Sequence, residues 1–279
     1  MAEQQEFPPD HCCASGFLAT GEPKGTEATF GGLNSYVAVP KEKPTTCVLI
    51  VTDVFGYKLV NTRLIADAFA EAGFLCVIPD LLGDAALPAD ILETKPADEL
   101  SKLSWGDYMH ERFLKKAKLV PTMMTLIFSL SLSKVMKDID GVLAGITEKY
   151  GITAFGAQGY CWGGKHSIVL THKPQVKAAV VAHPSRLSLP DDIQKMSAPG
   201  LFLCAGKDFD FGPKKYGQAE QILKKKKETG SGPDYGFHIY ETAPHGFGTR
   251  SEPGNKECDE IREDHVKRSI EFYKKYLVA

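Results

Sequence analysis

The sequence carries no excess of positive charge, no long apolar run and no regular cysteine framework, and each absence removes a class of function. Its 33 Lys and Arg stand against 35 Asp and Glu, a formal net charge of −2, with a pI near 6.5. Nucleic acid and anionic membranes recruit a concentrated basic face, so neither is expected as a partner. The one basic run, residues 224–227, closes a predicted helix, where cations suit the negative end of the dipole. The longest apolar stretch, residues 119–132, is broken by Pro, Thr and Ser and falls short of the about 20 residues that cross a bilayer. Met1-Ala2-Glu3-Gln4-Gln5-Glu6 is polar and lacks the apolar core of a signal peptide. The 7 cysteines, at 12, 13, 47, 76, 161, 204 and 258, are odd in number and scattered, as befits free thiols in a reducing compartment. His11-Cys12-Cys13 has no second Cys/His pair in sequence to complete a zinc pattern. The expectation is a cytoplasmic protein, monomer or homodimer, with no metal and no cofactor.

Hydrophobic residues make up 43% and charged residues 24% of the 279, enough for one large core, and a single domain over residues 1–279 is expected. Short apolar runs at 36–39, 47–51, 74–78, 152–158, 178–182, 201–205 and 237–240 read as strands. Between and after them, residues 61–72, 134–149, 165–171, 213–227 and 258–276 read as helices, the first with Asn61 as a cap and Gly73 as a stop. This alternation predicts an α/β fold with a mostly parallel central sheet, helices on both faces, and a functional site at the strand C-termini. Residues 85–133 interrupt it and read as a helical insertion near the active site. Its aromatic and Met content, Trp105 and Phe128 included, offers substrate contacts or simply packs on the sheet.

The chemistry is concentrated at Gly159-Tyr160-Cys161-Trp162-Gly163-Gly164. A reactive side chain between small residues, at a turn from strand to helix, is the pattern of a nucleophile elbow. The helix N-terminus beyond it favours a thiolate and an oxyanion. Free cysteine is also common in cores, so an inert buried thiol is the alternative, and the partners decide. In elbow hydrolases the acid and the histidine follow the nucleophile on loops after later strands. Asp208 follows the run 200–206, with Asp210 as its competitor, and His245 follows the strand at 237–240 in a Pro-His-Gly turn. His166, His172, His183, His238 and His265 lack that combination of post-strand position and exposing turn.

Together with Thr52-Asp53-Val54-Phe55-Gly56, Gly206-Lys207-Asp208 and His245-Gly246-Phe247, the elbow makes the chain resemble the dienelactone hydrolase family of α/β-hydrolases over nearly its whole length. Cys12-Cys13-Ala14-Ser15-Gly16-Phe17 and Ala182-His183-Pro184-Ser185 are similar to the fungal branch. The resemblance implies that Asp53 stands where bacterial members often carry a Glu that takes the thiol proton when substrate arrives. It also implies that Arg63 and Arg250 match, with an offset, arginines that hold a substrate carboxylate. The implied reaction is acyl transfer from a small-molecule ester or lactone, through a thioester, to water. Cys161 attacks, His245 shuttles the proton, Asp208 orients the imidazole, and the backbone N–H groups of Trp162 and Val54 hold the oxyanion. Because thiolate leaves a tetrahedral intermediate readily, activated lactones, enol esters and thioesters are expected ahead of amides. A thioesterase-like acyl hydrolase and a non-catalytic ligand-binding relative are the alternatives.

Overall fold

A strand covered on both faces reads as a continuous apolar run, and four such runs form the centre of the molecule. The computed structural model describes residues 16–92, 104, 106–107, 130–251 and 255–278. All positions of β3 (Cys47–Val51), β4 (Leu75–Pro79) and β5 (Phe155–Tyr160) are buried, as are all but one of β6 (Val176–Ala182). With β1 (Thr26–Phe30), β2 (Leu33–Ala38), β7 (Gly200–Lys207) and β8 (Tyr235–Pro244) they make an eight-stranded sheet in the order β1-β2-β4-β3-β5-β6-β7-β8. The β1/β2 and β2/β4 pairs are antiparallel and every other pair is parallel.

Successive side chains in a strand face opposite ways, and this divides the core. Leu49 and Val51 of β3 belong to a cluster with Val135, Ile139, Val142 and Ile146 of α2 (Leu132–Tyr150). Val48 and Ile50 belong to another, with Ile65 and Phe69 of α1 (Val60–Glu71) and Tyr273 of α7 (Lys256–Leu277). A third cluster joins Val181, Phe202 and Cys204 to α3 (Trp162–Leu170), α4 (Asp191–Gln194) and α5 (Pro213–Glu228). Helices therefore cover both faces, as expected for an α/β-hydrolase fold. No helix among the described residues is long and apolar enough to cross a membrane.

Two local readings change. The hairpin β1/β2 turns through Gly31 and Gly32, both at positive φ (56° and 83°), and β1 escaped the sequence reading because it is a largely exposed edge strand with few apolar residues. Asn61 does not cap α1, whose first residue is Val60. It is buried inside the first turn, where Oδ1 accepts from the Ala19 N–H (2.8 Å) and Nδ2 donates to the carbonyls of Phe17 (2.9 Å) and Thr249 (2.7 Å). Gly73 does follow the helix end, at φ 103°. Most of the 85–133 insertion, with Trp105 and Phe128, lies outside the described residues, as do His11, Cys12 and Cys13.

Candidate active site

Six consecutive parallel strands bring their C-terminal ends to one edge of the sheet, and the loops leaving β3, β5, β6, β7 and β8 meet there. β5 ends at Tyr160 and α3 starts at Trp162, so Cys161 alone makes the turn, at φ 49° and ψ −114°. The glycines on either side are dictated by contact rather than by the turn itself. A Cβ on Gly159 would come 2.6 Å from Ser167 Oγ, and one on Gly163 would run into the carbonyl oxygen of Val51. The same closeness lets the Gly163 N–H donate to Thr52 O at 3.1 Å, which ties the elbow to the turn that carries Asp53 and Val54. Trp162 opens α3, so its N–H has no acceptor within the helix.

Asp208 follows β7 directly. Its Oδ1 accepts from the Asp210 and Phe211 N–H groups (2.8 and 3.1 Å), which fixes the carboxylate plane, and its Oδ2 meets His245 Nδ1 at 2.9 Å. The two side chains are 1% and 0% exposed. His245 follows β8, and Gly246 at φ 93° turns the chain sharply after it. Cys161 lies close enough to His245 to act on its imidazole. Burial alone would push the imidazole down, but the charge on Cys161 and the bond from Asp208 outweigh it and raise His245 to about 10. Asp210 points elsewhere, accepting from the Arg186 N–H (2.7 Å) and pairing with Lys215 (2.5 Å).

The remaining histidines have other surroundings. His166 packs at a tilt against Trp162 (ring centroids 4.0 Å apart) and burial lowers it to about 4. His265 sits beside the Tyr160 hydroxyl (3.3 Å) and burial likewise lowers it to about 4. His238 lies 3.7 Å from Asp264, and His172 is exposed in the turn after α3. His183 was passed over in the sequence yet packs edge-on to His245, with ring centroids 5.0 Å apart. Burial first, and the neighbouring charges of His245 and Arg250 next, hold it well below the usual histidine value.

The other expected site residues divide. Asp53 is fully buried, and its contacts are with the far side of the site. Oδ1 accepts from the Phe55 N–H (3.0 Å), while Oδ2 accepts from Thr249 Oγ1 and Arg250 Nη1, both at 2.8 Å. Arg250, on α6 (Phe247–Arg250), is 1% exposed in its side chain and lies over the Phe55 ring. Arg63 is taken up by Glu27 (2.7 Å), by the Tyr57 carbonyl (2.9 Å) and by stacking on Tyr36 and Tyr57. Its Nε and Nη2 are thus engaged within the protein. Two further residues lie near the reacting groups, Phe209, which the sequence does not mark, and Ser185, which it marks only within the Ala182–Ser185 segment. Phe209 is 43% exposed and sets its ring 4.8 Å from that of His245. Ser185 places its hydroxyl 3.7 Å from the Cys161 sulfur. The signals were present, an aromatic residue beside the acid and a serine three residues beyond a strand end, but neither assigns a role without the fold.

The chain is similar in sequence to a hydrolase of Aspergillus violaceofuscus named pyvD, 28% identical over 272 residues that cover 97% of this chain and 98% of that one. It has equal identity, over 274 residues and the same shares of both chains, to the hydrolase tropI of Talaromyces stipitatus. The crystal structure of a candidate dienelactone hydrolase from Klebsiella pneumoniae shares the fold, with a TM-score of 0.66 at 20% identity over 90% of this chain and 98% of that one. Residues 33–277 match the dienelactone hydrolase family as a whole, and the chain belongs to that family of hydrolases.

Proposed function

We propose that this hydrolase cleaves activated esters or lactones through a thioester on Cys161, with His245 as proton carrier and Asp208 as its orienting acid. The observation that carries this reading is the buried 2.9 Å bond from His245 Nδ1 to Asp208, on an imidazole raised by the charge of the elbow cysteine. With Nδ1 engaged, the Nε2 side is the one left to exchange a proton with the thiol or the leaving group. His245 is raised to about 10, in part by the charge on Cys161, and in this reading the resting pair is thiolate and imidazolium. The thiolate lone pair forms the C–S bond, the carbonyl pair moves to oxygen, and the N–H groups of Trp162 and Val54 receive that charge. Collapse expels the alkoxide, which takes the proton from His245. The neutral imidazole then deprotonates water for attack on the thioester, and the electron pair of the C–S bond returns to sulfur.

In this reading the proton path is carried by His245, and the contacts of Asp53 are to Phe55, Thr249 and Arg250. The natural substrate is a small molecule whose leaving group is already good, since a thiolate competes poorly with a strongly basic alkoxide for departure. The test is a panel of a dienelactone, an aryl ester and an acyl thioester, with mass spectrometry of the quenched enzyme. An acyl adduct on Cys161 and turnover of the lactone or aryl ester are expected. Undiminished hydrolysis by folded Cys161→Ala would end the reading.

A further inference from the structure

The turn after β6 grips the elbow from the side opposite the turn after β3. The Cys161 N–H donates to the Ala182 carbonyl (3.3 Å), and the Cys161 carbonyl accepts from the Ser185 N–H (2.9 Å). Both backbone groups of the nucleophile are thus held by one four-residue segment. His183 within that segment, at φ 38°, and Arg186 just past it, at φ 60°, lie in the left-handed region, and neither is glycine. Its far end is fixed by Asp210, which accepts from the Arg186 N–H at 2.7 Å. Asp210 in turn donates its own N–H to Asp208. So the acid loop, the β6 turn and the elbow form one braced unit, and within it the Ser185 hydroxyl lies 3.7 Å from Cys161 Sγ. Ser185 is 7% exposed, and that sulfur is the hydroxyl's hydrogen-bond partner among the described residues.

We infer that Ser185 is a further catalytic residue, one that donates its hydroxyl hydrogen to the Cys161 thiolate. A thiolate has no hydrogen to give, so in the resting ion pair only the hydroxyl can be the donor. Hydrogen bonds to charged groups are the stronger ones, so the hydroxyl adds to the stabilisation of the thiolate. The bond loosens as the sulfur lone pair enters the C–S bond and re-forms when that pair returns on release of the acid product. Ser185 therefore acts at both ends of the cycle, making the resting nucleophile more acidic and improving sulfur as a leaving group from the thioester. This inference rests on the proposed role of Cys161. It owes nothing to the strained backbone as such, since the hydroxyl can be removed while the braces on the main chain remain.

The experiment is the pH dependence of iodoacetamide alkylation at Cys161, located by mass spectrometry, in wild type, Ser185→Ala and Ser185→Thr, with thermal melts as a folding control. The titratable and charged groups on the elements packed around the thiol are His245 with Asp208, His183 on the β6 turn, Asp53 with Arg250, and His166 on α3. None of them is altered by these substitutions. Removing the hydroxyl is expected to move the alkylation profile to higher pH and to lower the rate about tenfold on its acid side, the scale of one lost hydrogen bond to a charge. Ser185→Thr restores the wild-type profile. Should Ser185→Ala fail to fold, Ser185→Gly removes the same hydroxyl and is read in the same way. Superimposable profiles for a folded hydroxyl-free variant and wild type overturn the inference, as does a shift that Thr does not rescue. Cys161→Ala separates the two levels: if it still hydrolyses substrate, the nucleophile assignment itself has failed. An inactive Cys161→Ala beside an unshifted Ser185→Ala condemns Ser185 alone.

Discussion

Cys161 occupies a backbone region, φ 49° and ψ −114°, in which the Cβ of an L-residue crowds its own chain, at a cost of about 1–3 kcal/mol. Glycine escapes that cost. Cys161→Gly is therefore expected to melt above Cys161→Ala, although glycine is elsewhere the more destabilising residue, and both are expected to lose about three or more decades of turnover. Melting temperatures of the two variants, taken side by side, check this; equal values would mean the elbow is unstrained. Asp208 and Asp210 separate in the same way. Asp208→Asn removes the acceptor of a buried imidazole proton and is expected to cost two to four decades in kcat, on the scale of the loss of an orienting carboxylate. Asp210→Asn weakens the hold on Arg186 and is expected to cost far less. Steady-state rates in the reverse order would move the acid to Asp210.

Between elements, the buried Asp53–Arg250 pair joins the turn after β3 to α6, the short helix that follows His245. Breaking one partner of a buried pair leaves the other charged and unsatisfied, which typically costs about 3–5 kcal/mol. Asp53→Ala is expected to show a loss of that order in chemical denaturation, and Asp53→Ala combined with Arg250→Met to recover part of it. A double variant no more stable than Asp53→Ala would show that the pair is not an isolated unit. This brace marks the limit of what the sequence discloses. The strands at 47–51 and 178–182 were legible because they are buried on both faces and so consist of apolar residues. Cys161, Asp208 and His245 were legible because each directly follows a strand and the order of the three along the chain is informative. Asp53 and Arg250 lie 197 residues apart, and Asn61 is 188 residues from its partner Thr249, so no local pattern could pair them. The exposed strand β1 was missed for the converse reason, since a strand that buries little leaves little periodicity to find.

Across the whole molecule the buried histidines make stability depend on pH. His166 and His265 are lowered to about 4 by burial, and His183 is held lower than its usual value by the same cause. An unfolded chain takes up these protons near pH ~6.5, while the fold resists them. Their contribution is thus complete above about 6.5 and is lost as the pH falls toward 4. His245 has the opposite sign: raised to about 10, it adds stability that is complete below about 6.5 and is lost as the pH rises through 10. Melting temperature is expected to peak near neutrality, with an acid limb that His265→Phe flattens; an unchanged limb would place the acid sensitivity elsewhere. The tether made by Asn61 reaches further than its three bonds. The chain at Phe17 and Ala19 is fastened to the same side chain as Thr249, in the segment just past His245, whereas the sheet begins only at Thr26. A bulky fusion partner that pulls on residues 16–19 would thus leave melting almost unchanged while detuning the histidine loop. Activity, not yield or solubility, is where its effect would register.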